Sequence, residues 1–438
     1  MSFSTNQHLF LEKDVVLVKG AKYSLLIDVK TGVSRRINDS ARLIIELGEN
    51  GLMISEAVSC LSSEIDASEA LSFLEDLLKE SFVKLSANPK PNSAKQDNSH
   101  PQEMDFLWIE VTSRCNLRCV HCYAESDESQ DKEMSTEIIR KVIDDAAKLG
   151  WKRVQFTGGE CTLRADLLDL IMHAKTRGFE IIEVFTNGTM LTEDMIAFFA
   201  KNGINVGMSL YSYQGETHDA ITTVPGSFDR TLKSLKLLLA YGVSTRCATV
   251  AMKQNESDLD GTSYFLYKMG VLHQFPDPIR PTGRGKSIEN WPTKYGLNSI
   301  QTQPNFIINE HIYEKNRQFN SCWYGKAGIT SSGDVLPCLF ARDQIAGNVE
   351  KQSLAEIILG NTMQKFWSLN NDRVDVCMDC EYRYICRDCR PWAYGFSGNI
   401  YAKSPRCTYD PYTGKWGNAE EAKICNTIEP LLQRSDCR

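Results

Sequence analysis

From residue 105 to about 285, short apolar runs alternate with amphipathic helical patterns, and few folds accommodate that rhythm. FLWIEVT, RVQFTGG, FEIIEVFTNG, INVGMSLY, STRCATVAM and VLHQFPDPI read as six strands. They are mostly continuous apolar runs, as strands buried on both faces of a parallel sheet must be. Between them lie TEIIRKVIDDAAKLG, LLDLIMHAKTRG, TEDMIAFFAKNG, SFDRTLKSLKLLLAYG and SDLDGTSYFLYKMG, most closing on the Gly that commonly follows a helix. This alternation predicts an α/β class with a parallel sheet and crossover helices. Six units predict a partial (β/α)6 barrel with its site at the C-terminal ends of the strands. A doubly wound open sheet is the alternative.

The flanks differ in kind. Val15 to Gly20, Tyr23 to Val29 and Val33 to Asn38 read as short strands, with Lys30-Thr31-Gly32 as a turn. Asn38-Asp39-Ser40 offers capping side chains to ARLIIELG, and MISEAVSCLSS and ASEALSFLEDLLKES carry helical spacing. Three strands and three helices predict a winged-helix-like domain over residues 1–85. Residues 86–104 are rich in Pro, Asn, Ser and charge and read as a linker. Residues 105–285 form the α/β core. Residues 286–438 are loop-rich, with SLAEIILGNTMQKFWSL as the clear helical stretch.

The net charge of −7 gives no electrostatic reason to expect nucleic acid or an anionic membrane as partner. VSRRIN has only two adjacent Arg, and the candidate recognition helix is acidic, which argues against a DNA-binding winged helix. No apolar run is long enough to span a bilayer. The N-terminus lacks the pattern of a secretory signal, so a cytoplasmic protein is expected.

Cysteine is the outlier, at fifteen residues. Without an export signal, clustered thiols point to metal or catalysis rather than to disulfides. Cys115, Cys119 and Cys122 follow the first strand with C-x3-C-x2-C spacing. Three thiolates can hold three irons of a cubane cluster and leave the fourth iron open. A structural zinc would need a fourth ligand. Further on come Cys322 and Cys338, then Cys377, Cys380, Cys386 and Cys389, and Cys407. The two C-x2-C pairs are separated by five residues, too few for a zinc ribbon. Cys60 and Cys247 read as buried packing residues.

The C-x3-C-x2-C loop, with His121 at the aromatic-type position before its last cysteine, resembles the signature of the radical S-adenosylmethionine (SAM) superfamily. Thr157-Gly158-Gly159-Glu160 resembles that family's second motif, with Cys161 where Pro is usual. The resemblance implies that the open iron chelates SAM and that cleavage yields a 5′-deoxyadenosyl radical. It implies that Gly158, Gly159 and Glu160 bind the methionyl amino group and that Ser209 contacts the ribose. Asn187 and Gly188 read as turn formers. No catalytic acid or base is identifiable, although Tyr123, Glu125, Tyr211, Tyr213 and Arg284 fall near the barrel mouth.

The later cysteines resemble the SPASM domain of radical SAM peptide maturases, with two residues, Arg387 and Asp388, where three often separate the last pair. By that resemblance Cys377, Cys380, Cys386 and Cys407 ligate an outer four-iron cluster, and Cys322, Cys338 and Cys389 an inner one. Three 4Fe-4S clusters are implied in total. Seven ligands for two clusters leave an open inner iron for a substrate thiolate, or Cys425, Cys437 or a carboxylate completes the set.

The order of strands, cap and helices in residues 1–85 resembles a PqqD-like leader-peptide recognition domain. Together the parts resemble a sactisynthase- or ranthipeptide-synthase-like maturase. The resemblance implies a precursor peptide bound through its leader, an electron donor such as flavodoxin or ferredoxin, and an intramolecular thioether as product. Carbon–carbon or carbon–oxygen cross-linking and a sulfatase-type protein maturase are the alternatives.

Overall fold

The computed structural model describes residues 4–61, 67–89, 103–130, 133–273, 276–293, 304, 307–387 and 389–417. Most of the 86–104 linker, Asp388, Cys425 and Cys437 lie outside the described residues.

The N-terminal unit runs β1 (His8–Leu11), β2 (Val15–Lys19), β3 (Ser24–Asp28), β4 (Ser34–Ile37), α1 (Asp39–Glu49), α2 (Ile54–Ser59), α3 (Ala67–Lys79) and β5 (Val83–Ser86). Strands β2, β3 and β4 form an antiparallel sheet, and β1 pairs with β5. The Asn38 side chain caps α1, accepting from Ala41 N–H at 2.9 Å. Cys60 follows α2 and is exposed, which corrects the packing role expected of it. Strand β3 is buried on both faces, and the two faces have different partners. Leu26 packs toward Ile44, Leu74 and Leu77. Leu25 and Ile27 pack with Val18 against Ile308, Tyr313 and Ile385 of the C-terminal region. Successive strand residues point to opposite faces, so one strand joins two cores.

The core follows the expected alternation: β6 (Phe106–Glu110), α4 (Thr136–Leu149), β7 (Arg153–Thr157), α5 (Leu167–Thr176), β8 (Ile181–Thr186), α6 (Glu193–Asn202), β9 (Asn205–Ser209), α7 (Gly215–Thr222), α8 (Ser227–Ala240), β10 (Thr245–Ala248), β11 (Val250–Ala251), α9 (Leu259–Lys268), β12 (Leu272–His273) and β13 (Asp277–Pro278). Helices α4 and α6 have capping side chains at the start, from Ser135 and Thr192, and a left-handed Gly at the end. The fifth and sixth apolar runs each break in two. Pro276 and Pro278 lack the amide hydrogen a ladder needs, so β13 leaves the main sheet and pairs with β11.

Beyond the core come α10 (Glu310–Gln318), β14 (Lys326–Ile329), β15 (Asp334–Leu336), β16 (Gly347–Asn348), α11 (Leu354–Leu359), α12 (Asn361–Trp367) and α13 (Arg390–Ser397). The predicted single helix over SLAEIILGNTMQKFWSL is two, broken where Gly360 is extended. Strand β14 adds in parallel to β6, giving a nine-stranded sheet of order β12-β10-β9-β8-β7-β6-β14-β15-β16. The sheet is parallel from β12 to β14 and antiparallel beyond. Among the described residues, no helix is long and apolar enough to cross a membrane.

Candidate metal centre and cofactor pocket

The chain leaves β6 at Glu110 and turns through Cys115, Cys119 and Cys122 at the C-terminal edge of the sheet. The three thiols interact electrostatically with one another. Burial pushes the Cys115 thiol up to about 12 and raises Cys119 as well. Iron binds thiolate, so loading this loop must release protons. His121 is held neutral by burial, with its pKa down at about 3, and packs edge-on to Tyr211 at 4.7 Å.

The loop is braced from distant segments. Arg284 donates through Nε to Cys119 O and through Nη2 to Ser126 O, both at 2.8 Å. Gly283 has φ +55°, and a Cβ there would lie 2.6 Å from Cys122 O, so only glycine fits. Arg118 and Val120 N–H donate to Thr222 O and Ile221 O at the end of α7, at 3.1 and 3.0 Å.

Gly158 and Gly159 follow β7 directly against this loop. A Cβ on Gly158 would lie 2.4 Å from Thr112 O, and one on Gly159 would lie 2.2 Å from Arg114 O. The close approach that requires glycine is thus to the cysteine loop itself. Glu160 is fully buried. Its Oε1 accepts from Thr162 N (3.0 Å), Thr162 Oγ1 (2.5 Å) and Thr186 Oγ1 (2.6 Å), and its Oε2 from Asn187 N (2.7 Å). Cys161 is buried, and its thiol donates to Phe185 O at 3.3 Å.

Three residues have structural roles that the sequence patterns did not assign. Asn187 Nδ2 reaches Asn116 Oδ1 at 2.9 Å and lies 4.0 Å from Cys115 Sγ, so it is more than a turn former. Tyr211 is buried, packs edge-on against His121 of the cysteine loop at 4.7 Å, and interacts electrostatically with Cys119. Ser209 ends β9, half-buried. Arg284 is the third, as the brace described above. Their partners lie far off in sequence, and the only local signal is a position just past a strand.

Among the C-terminal cysteines, Cys338 interacts with Cys389, and Cys380 with Cys407. The Arg280 guanidinium interacts electrostatically with the thiols of Cys389, Cys338 and Cys322. Cys380 N–H donates to Cys377 O at 3.0 Å in one short turn. Cys386 makes an isolated bridge with Pro304. Burial pushes the Cys338 thiol up to about 11 and that of Cys380 up to about 12.

Next to the cysteine-bearing segments lies a cavity of about 590 Å³. Its walls come from the segments that follow Cys122 (Tyr123, Glu125), Cys338 (Phe340, Arg342) and Cys389 (Tyr394, Phe396). Tyr123 packs on Phe340 at 4.8 Å, and the Arg342 guanidinium covers Tyr123 at 5.1 Å.

This donor set fits iron–sulfur centres: soft thiol ligands, buried at Cys115 and partly buried at the others. Among the described residues, no three His, Cys, Asp or Glu side chains close around a point where one ion could sit. A cubane takes one thiolate per iron, so its ligands stand farther apart than those of a lone zinc.

Residues 109–265 match the Radical SAM superfamily, and residues 322–381 match SPASM, an iron–sulfur cluster-binding domain. The chain is 31% identical to a GTP 3′,8-cyclase of Clostridium botulinum, over 57% of this chain and 85% of that protein. It is 28% identical to the antilisterial bacteriocin subtilosin biosynthesis protein AlbA of Bacillus subtilis, over 69% and 70%. It is 27% identical to an AdoMet-dependent heme synthase of Methanosarcina barkeri, over 69% and 95%. In fold it is similar to Streptococcus suis SuiB bound to the precursor peptide SuiA, with a TM-score of 0.55, 16% identity, and coverage of 91% of this chain and 98% of that one. It is also similar to anSMEcpe with bound AdoMet, with a TM-score of 0.54, 17% identity, and coverage of 75% and 100%.

Proposed function

This chain belongs to the radical SAM superfamily and carries a SPASM iron–sulfur domain, and from that premise we propose that it matures a ribosomally made peptide by joining a cysteine sulfur to a carbon of the same peptide. It is an enzyme that uses S-adenosylmethionine and iron–sulfur clusters. When bound, those cofactors supply a carbon-centred radical that takes a hydrogen atom from substrate.

In this reading Cys115, Cys119 and Cys122 hold the cluster that engages SAM. Gly158, Gly159 and Glu160 shape the pocket for its methionyl end, and Ser209 meets its ribose. Cys322, Cys338 and Cys389 hold an inner auxiliary cluster, and Cys377, Cys380, Cys386 and Cys407 an outer one. Residues 1–85 bind the leader, which adds a strand at the β4 edge beside α3, where Arg35 lies over Phe73 at 5.8 Å. Tethering the leader raises the effective concentration of the core peptide at the cavity. A flavodoxin- or ferredoxin-type protein supplies electrons.

The observation that carries the reading is the 590 Å³ cavity, because the segments after Cys122, Cys338 and Cys389 all wall it. In this reading a peptide side chain enters there, beside the segments that follow the cysteines of the first and inner clusters. The similarity to AlbA, a bacteriocin biosynthesis protein, supports a peptide substrate.

The test is anaerobic. The reconstituted enzyme is expected to hold about twelve irons, as three four-iron clusters. With SAM, reductant and a Cys-containing precursor it should form 5′-deoxyadenosine, and the peptide should lose two hydrogens as C–H and S–H give way to C–S. Blocked thiol alkylation accompanies that loss. The same mass change with every thiol still alkylatable means carbon–carbon or carbon–oxygen cross-linking and overturns the thioether reading.

A further inference from the structure

Asp277 on β13 is shared by two arginines. Arg280 Nη2 bonds to its Oδ2, and Arg406 Nη1 lies 3.6 Å from its Oδ1. The Arg280 and Arg406 side chains are only 25% and 14% exposed. Each packs on an aromatic ring close to an inner-group cysteine. The Arg280 guanidinium covers Phe340, two residues after Cys338, at 4.3 Å, and that of Arg406 covers Trp392, three residues after Cys389, at 5.7 Å. Arg406 also directly precedes Cys407 of the other group.

We propose that Arg280 and Arg406, joined through Asp277, form a cationic bracket that tunes the iron–sulfur centre of Cys322, Cys338 and Cys389 and fixes it beside Cys407. The inference rests on the ligand reading given under Proposed function. The Arg280 guanidinium also interacts electrostatically with the thiols of Cys389, Cys338 and Cys322, so it presents a cation to that group. Reduction adds negative charge to a centre already carrying thiolates, and a nearby partly desolvated cation favours it. Net charge near a cluster is one determinant of its potential. Removing the Arg280 charge therefore makes reduction harder. Both arginines are positioning residues: they hold charge and loops and touch no reacting atom.

The test uses the reconstituted full chain with Cys115, Cys119 and Cys122 replaced by Ala, so that only the C-terminal centres give electron paramagnetic resonance signals. Iron and sulfide are counted before each redox titration. In Arg280→Gln one midpoint potential is expected to fall by at least a tenfold change in the reduction equilibrium, about 59 mV for one electron. Arg280→Lys keeps the charge and is expected to restore most of that shift. If Arg280→Gln loads poorly, Arg406→Gln is read in the same way. Unchanged midpoints in a fully loaded Gln variant, or equal shifts in the Gln and Lys variants, overturn the bracket. Absence of C-terminal iron in the parent chain overturns the ligand reading itself, and the inference with it.

Discussion

Arg342 grips Glu110 with two parallel hydrogen bonds of 2.7 and 2.9 Å, across 232 residues of sequence. The pair fastens the end of β6 to the segment that follows Cys338. Only 3% of the Glu110 side chain is exposed. Removing one partner of such a pair strands the other charge, which costs roughly 3–5 kcal/mol when burial is complete. Arg342 is 23% exposed, so the lower end applies. Glu110→Ala is expected to lower stability by about 3 kcal/mol in urea titration of the reconstituted enzyme. Adding Arg342→Met removes the stranded charge and should recover at least half of the loss.

Gly159 offers a sharper test of how the two motifs meet. A methyl group there collides with Arg114 O at 2.2 Å, and the neighbour is backbone that cannot rotate away. Arg114 adjoins Cys115, so the displacement reaches the first ligand. Gly159→Ala is expected to lose about four irons per chain, one cluster, while keeping the C-terminal iron. Full iron content in this variant would show that the loop can yield.

The parts of this architecture legible in the sequence are those written in short spacings. Cys115, Cys119 and Cys122 share one loop, and their spacing alone marks it. The alternation of RVQFTGG and FEIIEVFTNG with helical runs marks β7 and β8, because burial on both faces leaves a continuous apolar string. What the sequence hides is pairing at long range. Arg342 finds Glu110, Arg284 finds Cys119 and Arg280 lies over Phe340, and no local period encodes those distances. Strand β14 was also hidden. Its sequence is only KAGI, and a Cβ on Gly328 would crowd the Leu339 side chain at 2.8 Å. Leu25 and Ile27 read as strand residues from the sequence, but their burial against Ile385 depends on a segment far downstream.

That last contact predicts a local unlocking. Ile385 packs against the outer face of β3, and Ala21 N–H donates across the same junction to Asp379 O at 2.7 Å. Truncating a buried Ile to Ala costs about 2 kcal/mol at the mild end. Ile385→Ala is expected to speed exchange of the Ala21 amide by roughly tenfold or more, since 1.4 kcal/mol is one decade. The Ala41 amide, bonded within the N-terminal unit to Asn38, should stay as slow as before. Equal acceleration of both would mean the unit itself had loosened.

Asp219 gives a pH dependence within α7, the helix whose last turn the cysteine loop bonds to. Burial pushes its carboxyl up, but bonds from Phe228 N (2.8 Å), Ser227 Oγ (2.7 Å) and Gly226 N (2.6 Å) outweigh it and hold the carboxyl below the usual range. A depressed folded-state value means that the unfolded chain binds the proton more readily. The stabilisation is therefore fully present above the unfolded value of about 3.9 and lost as pH falls through the lower folded value. Asp219→Asn is expected to cost about 1 kcal/mol at neutral pH, as for other helix-start side chains. The gap from the parent, read from thermal melts of the metal-free chain, should close toward pH 3. A gap constant over that range would contradict the assignment.

Val376 tests whether strain is stored beside a cysteine. It sits at φ 67° and ψ −39°, and Cys377 N–H donates to Asp375 O at 2.7 Å across it. This is a γ-turn of the rarer hand, and a β-branched residue fits it badly. Such a conformation costs on the order of 1–3 kcal/mol, which glycine escapes and alanine does not. Glycine also gains freedom in the unfolded chain, which offsets part of the relief by about 0.5–1 kcal/mol. Val376→Gly is therefore expected to be more stable than Val376→Ala by about 1 kcal/mol in urea. Comparing Gly with Ala nearly cancels the lost valine packing, so the difference reports the backbone. If Ala proved the more stable, the turn would be relaxed in solution and Cys377 would not be held by strain.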